Sequence, residues 1–112
     1  WRSGIAAVTE CPNVNIKLGG IGMPRTGFDW HARDVPIGSE ELSESMGPLM
    51  SYCIEQFGPH RAMFESNFPV DKVAYSYNVM YNAFKRLSKG YSADERAAMF
   101  HDTAARVYRI DL

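Results

Sequence analysis

Two spacings of apolar residues alternate along the chain, and they predict its elements. Val14, Ile16 and Leu18 fall at every second position, with Asn15, Lys17 and Gly19 between them. A period of two sends the two sets to opposite faces of a strand, so 14–19 reads as one. Between Ser39 and Phe57 the apolar residues are Leu42, Met46, Leu49, Met50, Cys53, Ile54 and Phe57, the spacing of a helix with one wide apolar face. Gly47-Pro48 interrupts that run. Proline is favourable at a first helical position, where its missing N–H costs nothing, so a short segment and then a main helix from Pro48 are expected. Arg61–Ser66 reads as a second strand. A helix is predicted over 75–89, with Tyr77, Met80, Tyr81, Phe84 and Leu87 on one side and Gly90 as its stop; core packing is the expected role of Tyr75, Tyr77, Tyr81 and Phe84.

Local signals fill in the rest. Residues 2–10 predict a short helix ended near Pro12, because proline disfavours helical geometry in the residue before it. Ser92 and Glu95, three apart, form a capping box that opens a helix to about Phe100, and Asp102 is expected to cap a last one ending near Tyr108. A long loop runs from Gly20 to about Gly38 and a shorter one over Asn67–Lys72. The long loop carries Phe28 and Trp30; a loop of that length in a compact domain is usually functional or disordered, and aromatics favour function.

Two strands separated by a helix imply a parallel crossover. Two parallel strands alone leave faces and edges without partners. The element order is therefore that expected of a fragment, best explained as a truncated barrel, and a start at Trp1 points the same way.

Composition narrows the classes. The chain has 112 residues, 46% apolar and 22% charged, which is ordinary for one globular domain over 1–112. A formal net charge of −1 with scattered Lys and Arg gives no basic surface for nucleic acid. No apolar run approaches the roughly 18 residues of a membrane span, and no signal peptide is evident, so a cytoplasmic chain is expected. Cys11 and Cys53 show neither CxxC nor zinc spacing; Cys53 is expected as a buried free thiol.

Three segments carry a resemblance. Asn13-Val14-Asn15-Ile16-Lys17-Leu18-Gly19-Gly20 resembles the strand-seven pattern PNV-x-VKLSG of the amidohydrolase-related family. Phe57 through Val70, FGPHRAMFESNFPV, resembles its strand-eight signature FGPDR-x-MFGSDWPV. Thr103-Ala104-Ala105-Arg106-Val107-Tyr108-Arg109-Ile110 resembles its closing NA-x-RLYRL helix. The resemblance implies an α/β fold: the C-terminal part, about the last two β/α units plus terminal helices, of a (β/α)8 barrel. It also implies a hydrolase in the complete protein, lactonase-like, with water attacking a lactone, ester or amide of a small, acidic substrate. For the family it implies metal-dependent or metal-free hydrolases and decarboxylases; where a divalent metal such as zinc is used its ligands lie mostly on earlier strands, and none is expected in this chain. The alternative is a barrel that has lost catalysis and binds small molecules.

The resemblance breaks at an informative residue. Asn67 stands where the family has the strand-eight Asp that acts as general base, and an amide takes no proton at neutral pH. Glu65 stands where the family usually has Gly. Strand alternation would put Glu65 and Asn67 on one face, roughly 6–7 Å apart. Glu65 and Asp71 are the two candidates to replace the lost carboxylate, and an interior ion pair between Lys17 and Glu65 is the structural alternative for Glu65. In the long loop, Arg25, His31 and Arg33 are candidates to bind an acidic substrate. His60 and His101 are expected at the surface.

Overall fold

The computed structural model describes residues 1–111 and contains both expected strands, each three residues long. Strand β1 (Ile16–Leu18) pairs in parallel with β2 (Ala62–Phe64), Lys17 lying opposite Met63. Both are shorter than the sequence pattern because turn formers bound them. Gly20 takes φ 74° after β1, and a 3-10 turn at Pro59–Arg61 leads into β2. Helix α1 (Arg2–Thr9) precedes β1, and α2 (Ser39–Phe57) is the crossover between the strands.

Helix α2 is unbroken, which corrects the expected restart at Pro48. Proline removes one helical N–H and crowds the residue before it. That residue is Gly47, which has no Cβ to meet the ring, so the helix runs through. Helix α3 spans Tyr77–Leu87 and starts on Ser76, whose hydroxyl accepts from the Val79 N–H at 3.2 Å; Tyr75 lies outside it. Helix α4 (Ala93–Ala97) opens on the expected capping box, with both Ser92–Glu95 hydrogen bonds formed. It does not stop near Phe100. A π-helical turn, Ala98–Asp102, carries it into α5 (Thr103–Tyr108), and Asp102 is helical and caps nothing. The extra residue of the π turn keeps Ala98, Met99 and Thr103 buried while the helix continues.

The chain divides into two compact units. One comprises Trp1–Leu18, Leu49–Phe64 and the residues from Tyr91 onward. Its buried side chains include Leu18, Ile54, Met63 and Met99. Arg61 fixes the approach to β2, its guanidinium donating to the carbonyls of Thr9, Cys11 and Phe57. Thr103 and Arg106 donate to the His60 carbonyl from the other end of the sequence. Cys53 is buried and free, and burial pushes its thiol pKa up; Cys11 is exposed. His60 and His101 are exposed, the latter against Asp102.

The other unit comprises Gly19–Pro48 and Glu65–Gly90, the segments that follow the two strands in sequence. Ile37, Leu42, Met46, Met80, Ala83 and Phe84 are buried there. Trp30 stacks on Phe28 with ring centroids 4.3 Å apart and also meets Tyr75. Within the long loop, two 3-10 turns form at Pro24–Thr26 and Trp30–Ala32. Tyr77 is half exposed, which corrects its expected place in the core. Among the described residues no helix is long and apolar enough to cross a membrane.

Candidate functional site

The polar centre of the second unit is built by a chain reversal after β2. Asn67 adopts φ 53°, the left-handed region that Asn tolerates better than most residues. From there the backbone turns tightly. The Asp71 N–H donates to the Asn67 carbonyl at 3.1 Å, and the Tyr75 N–H to the Asp71 carbonyl at 3.3 Å. Asn67, Asp71 and Tyr75 are thus brought together at four-residue intervals.

Asp71 is fully buried, at 0% exposure. Its Oδ1 accepts from Asn67 Nδ2 at 2.7 Å, and its Oδ2 accepts from the Tyr75 hydroxyl at 2.8 Å and the Gly22 N–H at 3.1 Å. A buried carboxylate is tolerable only with such donors, since desolvating it alone costs several kcal/mol. Burial first, and then the bond to Asp71 and its charge, push the Tyr75 hydroxyl well above the usual phenol range. Gly22 approaches so closely that an added Cβ would lie 2.8 Å from the Tyr75 oxygen and 2.9 Å from Asp71 Cγ.

Glu65 is half-buried beside the glycines that follow β1. A Cβ on Gly19 would overlap Glu65 Cγ and its carbonyl oxygen, and one on Gly20 would stand 3.6 Å from Asn67 Nδ2. The charge of Glu65 also reaches α3. Tyr81 has its pKa pushed up to about 12, by burial first, then by the hydrogen bond and charge of Tyr77, with a contribution from Glu65. The strand alternation expected to align Glu65 with Asn67 does not extend to them. Regular strand ends at Phe64, and the left-handed turn at Asn67 resets its direction.

The other expected site residues are placed as follows. Lys17 is the exposed central residue of β1. Arg25 lies in the first 3-10 turn and His31 in the second, both exposed. Arg33 is paired with Glu41 at 2.8 Å. Sequence reasoning missed Tyr75 and Gly22 as parts of the site, and the loop expected over Asn67–Lys72 gave no sign that Asp71 is enclosed. The four-residue spacing of Asn67, Asp71 and Tyr75 was a usable signal; nothing local marks Gly22.

Zinc takes Cys, His, Asp or Glu donors. This centre offers an amide at Asn67 and a carboxylate already holding three donors, which does not fit a zinc ion. Among the described residues no group of three or more His, Cys, Asp or Glu side chains could hold a metal.

Residues 1–110 match the family model described as amidohydrolase. The chain belongs to the amidohydrolase family. An uncharacterised protein of Sinorhizobium fredii is 42% identical over 98% of the chain, and the L-fucono-1,5-lactonase of Burkholderia multivorans is 31% identical over 98%. The L-rhamnono-gamma-lactonase of Scheffersomyces stipitis is 28% identical over 88%. A crystal structure of an amidohydrolase from Burkholderia multivorans with bound zinc superposes with a TM-score of 0.83 at 29% identity, covering 99% of this chain and 37% of the crystallised one. The two β/α units are thus part of a (β/α)8 barrel. This amidohydrolase chain spans about a third of the length of the curated relatives it matches.

Proposed function

We propose that the complete protein is a hydrolase acting on a small-molecule lactone, with esters and amides as the wider class, and that residues 1–112 are a partial amidohydrolase domain within it. Two relatives bearing lactonase names support this reading. The observation that carries it within the chain is the placement of Asn67, just past the C-terminal end of β2, with its amide held by Asp71 at 2.7 Å. Strand ends of this kind are where barrel enzymes build their sites.

In this reading Asn67 orients the attacking water, its Nδ2 being held by Asp71. The water oxygen bonds to the carbonyl carbon, its proton passes to Glu65, and the carbon–oxygen bond of the lactone breaks. Glu65 then returns the proton to the departing oxygen. The burial of Asp71 and its three donors support giving it no part in proton transfer. Arg25 and His31 are assigned to acidic groups of the substrate, ahead of Arg33, whose pairing with Glu41 engages it already. No metal ligand is assigned to this chain.

The amide at Asn67 favours one second reading, a barrel that binds small acids without turning them over. Both are tested by incubating the complete protein with L-fucono-1,5-lactone and related aldonolactones and following acid release. Turnover that falls by about 10²–10⁴-fold in Glu65→Gln supports the hydrolase. Saturable binding without turnover supports the second reading. Turnover that Glu65→Gln leaves intact removes Glu65 from the mechanism.

A further inference from the structure

We propose that Asp71 is the positioning residue that decides which end of the Asn67 carboxamide meets the substrate. A carboxamide has a donor end and an acceptor end of nearly the same shape, and only its neighbours choose between them. Ionised Asp71 can only accept. With its Oδ1 2.7 Å away, Nδ2 of Asn67 must face inward and Oδ1 outward. The outward end is then an acceptor, as a carboxylate at that position would be. In place of the family's charged acceptor, this chain offers a neutral one whose direction is set by a buried charge four residues on.

The rest of the centre keeps that charge from turning or moving. Gly22 N–H and the Tyr75 hydroxyl both converge on Oδ2, leaving Oδ1 to Asn67. The absence of a Cβ at Gly22 is what allows this approach, because any side chain there would meet Tyr75 and Asp71. The segments following β1 and β2 therefore both contribute to holding one amide.

This arrangement makes Asp71→Asn an informative substitution. The new amide can keep its oxygen on Gly22 and Tyr75 and turn its nitrogen toward Asn67. Asn67 then satisfies that donor by flipping, which sends Nδ2 outward. Every hydrogen bond is kept, yet the presented group changes from acceptor to donor. Adding Asn67→Asp to it gives a carboxylate that accepts from the amide at position 71 and restores an outward acceptor.

The proposal rests on the hydrolase reading for its catalytic consequence but not for its geometry, and two measurements on the complete protein separate these. With asparagine labelled in nitrogen-15, the Asn67 side-chain amide should show one proton protected from exchange, and Asp71→Asn should abolish that protection while thermal unfolding stays near wild type. An unchanged Asn67 amide in Asp71→Asn overturns the proposal whether or not the protein is an enzyme. In lactone hydrolysis, Asp71→Asn should lower kcat by about 100-fold with KM little changed, and the double variant Asn67→Asp/Asp71→Asn should recover most of it. Full activity in the single variant also overturns the proposal. A wild type that shows the protected amide but hydrolyses no lactone leaves the geometry standing and defeats only the hydrolase reading.

Discussion

The backbone N–H of Gly22 donates to Asp71 Oδ2 at 3.1 Å, and no side chain larger than hydrogen fits where it does so. Gly22→Ala would put a methyl group 2.8–2.9 Å from the Tyr75 ring and hydroxyl and from Asp71 Cγ. Those atoms are held by hydrogen bonds and cannot swing aside cheaply. The expected cost is about 1–3 kcal/mol, read as a lower urea midpoint with an unchanged denaturant slope.

Removing the carboxylate altogether should cost more than changing its charge. Asp71→Ala leaves the Gly22 N–H, the Tyr75 hydroxyl and the Asn67 amide facing a void with no acceptor. Each stranded buried donor costs about 1–3 kcal/mol, with incomplete additivity, so a loss of about 3–5 kcal/mol is expected. Asp71→Asn should stay within about 1 kcal/mol of wild type, because one flip re-satisfies the network. Urea unfolding of the two variants side by side makes the comparison, and equal losses would contradict it.

What was legible in the sequence follows the range of the forces involved. The Ser92–Glu95 capping box is made by residues three apart, so its residue types announce it, and it forms as expected. The two strands and the long crossover helix follow from apolar periodicity. Pro48 deceived because the decisive fact was its neighbour: Gly47 relieves the crowding that would otherwise end the helix. The π turn at Ala98–Asp102 deceived because burial of Met99 and Thr103 outweighed the local signal at Asp102. At the site, Asn67 was marked by its departure from the family pattern. The enclosure of Asp71 was not, since one of its three donors, Gly22, lies 49 positions away.

Tyr75 should make stability fall in alkali. Its folded pKa is raised, while unfolded tyrosine ionises near pH 10. Below pH 10 both states hold the proton and nothing changes. Above it the unfolded chain gives up a proton that the folded chain keeps, so unfolding becomes easier as pH rises. One such group contributes a slope of up to about 1.4 kcal/mol per pH unit. Tyr81 and Tyr91 are also raised and add to the slope. Tyr75→Phe should therefore flatten the alkaline limb without removing it, measured as unfolding free energy between about pH 9 and pH 11.

Asn67→Asp on its own should make the protein more stable in mild acid than at neutral pH. The substitution sets a second carboxyl against Asp71 at the place where Asn67 Nδ2 now donates across 2.7 Å. Two carboxylates that close cannot both stay charged, and they hold a proton between them. The folded state then binds a proton that the unfolded state, with carboxyl pKa values near 4, releases. Stability is full below about pH 4 and is lost as pH rises through the higher folded value. Wild type has no such pair at this position, so only the variant should lose unfolding temperature between about pH 5 and pH 7.5. Combining it with Asp71→Asn replaces the second carboxyl by a donor and should abolish that loss. A single variant as stable at neutral pH as in acid would mean that Asp71 does not face position 67 as closely as the 2.7 Å bond requires.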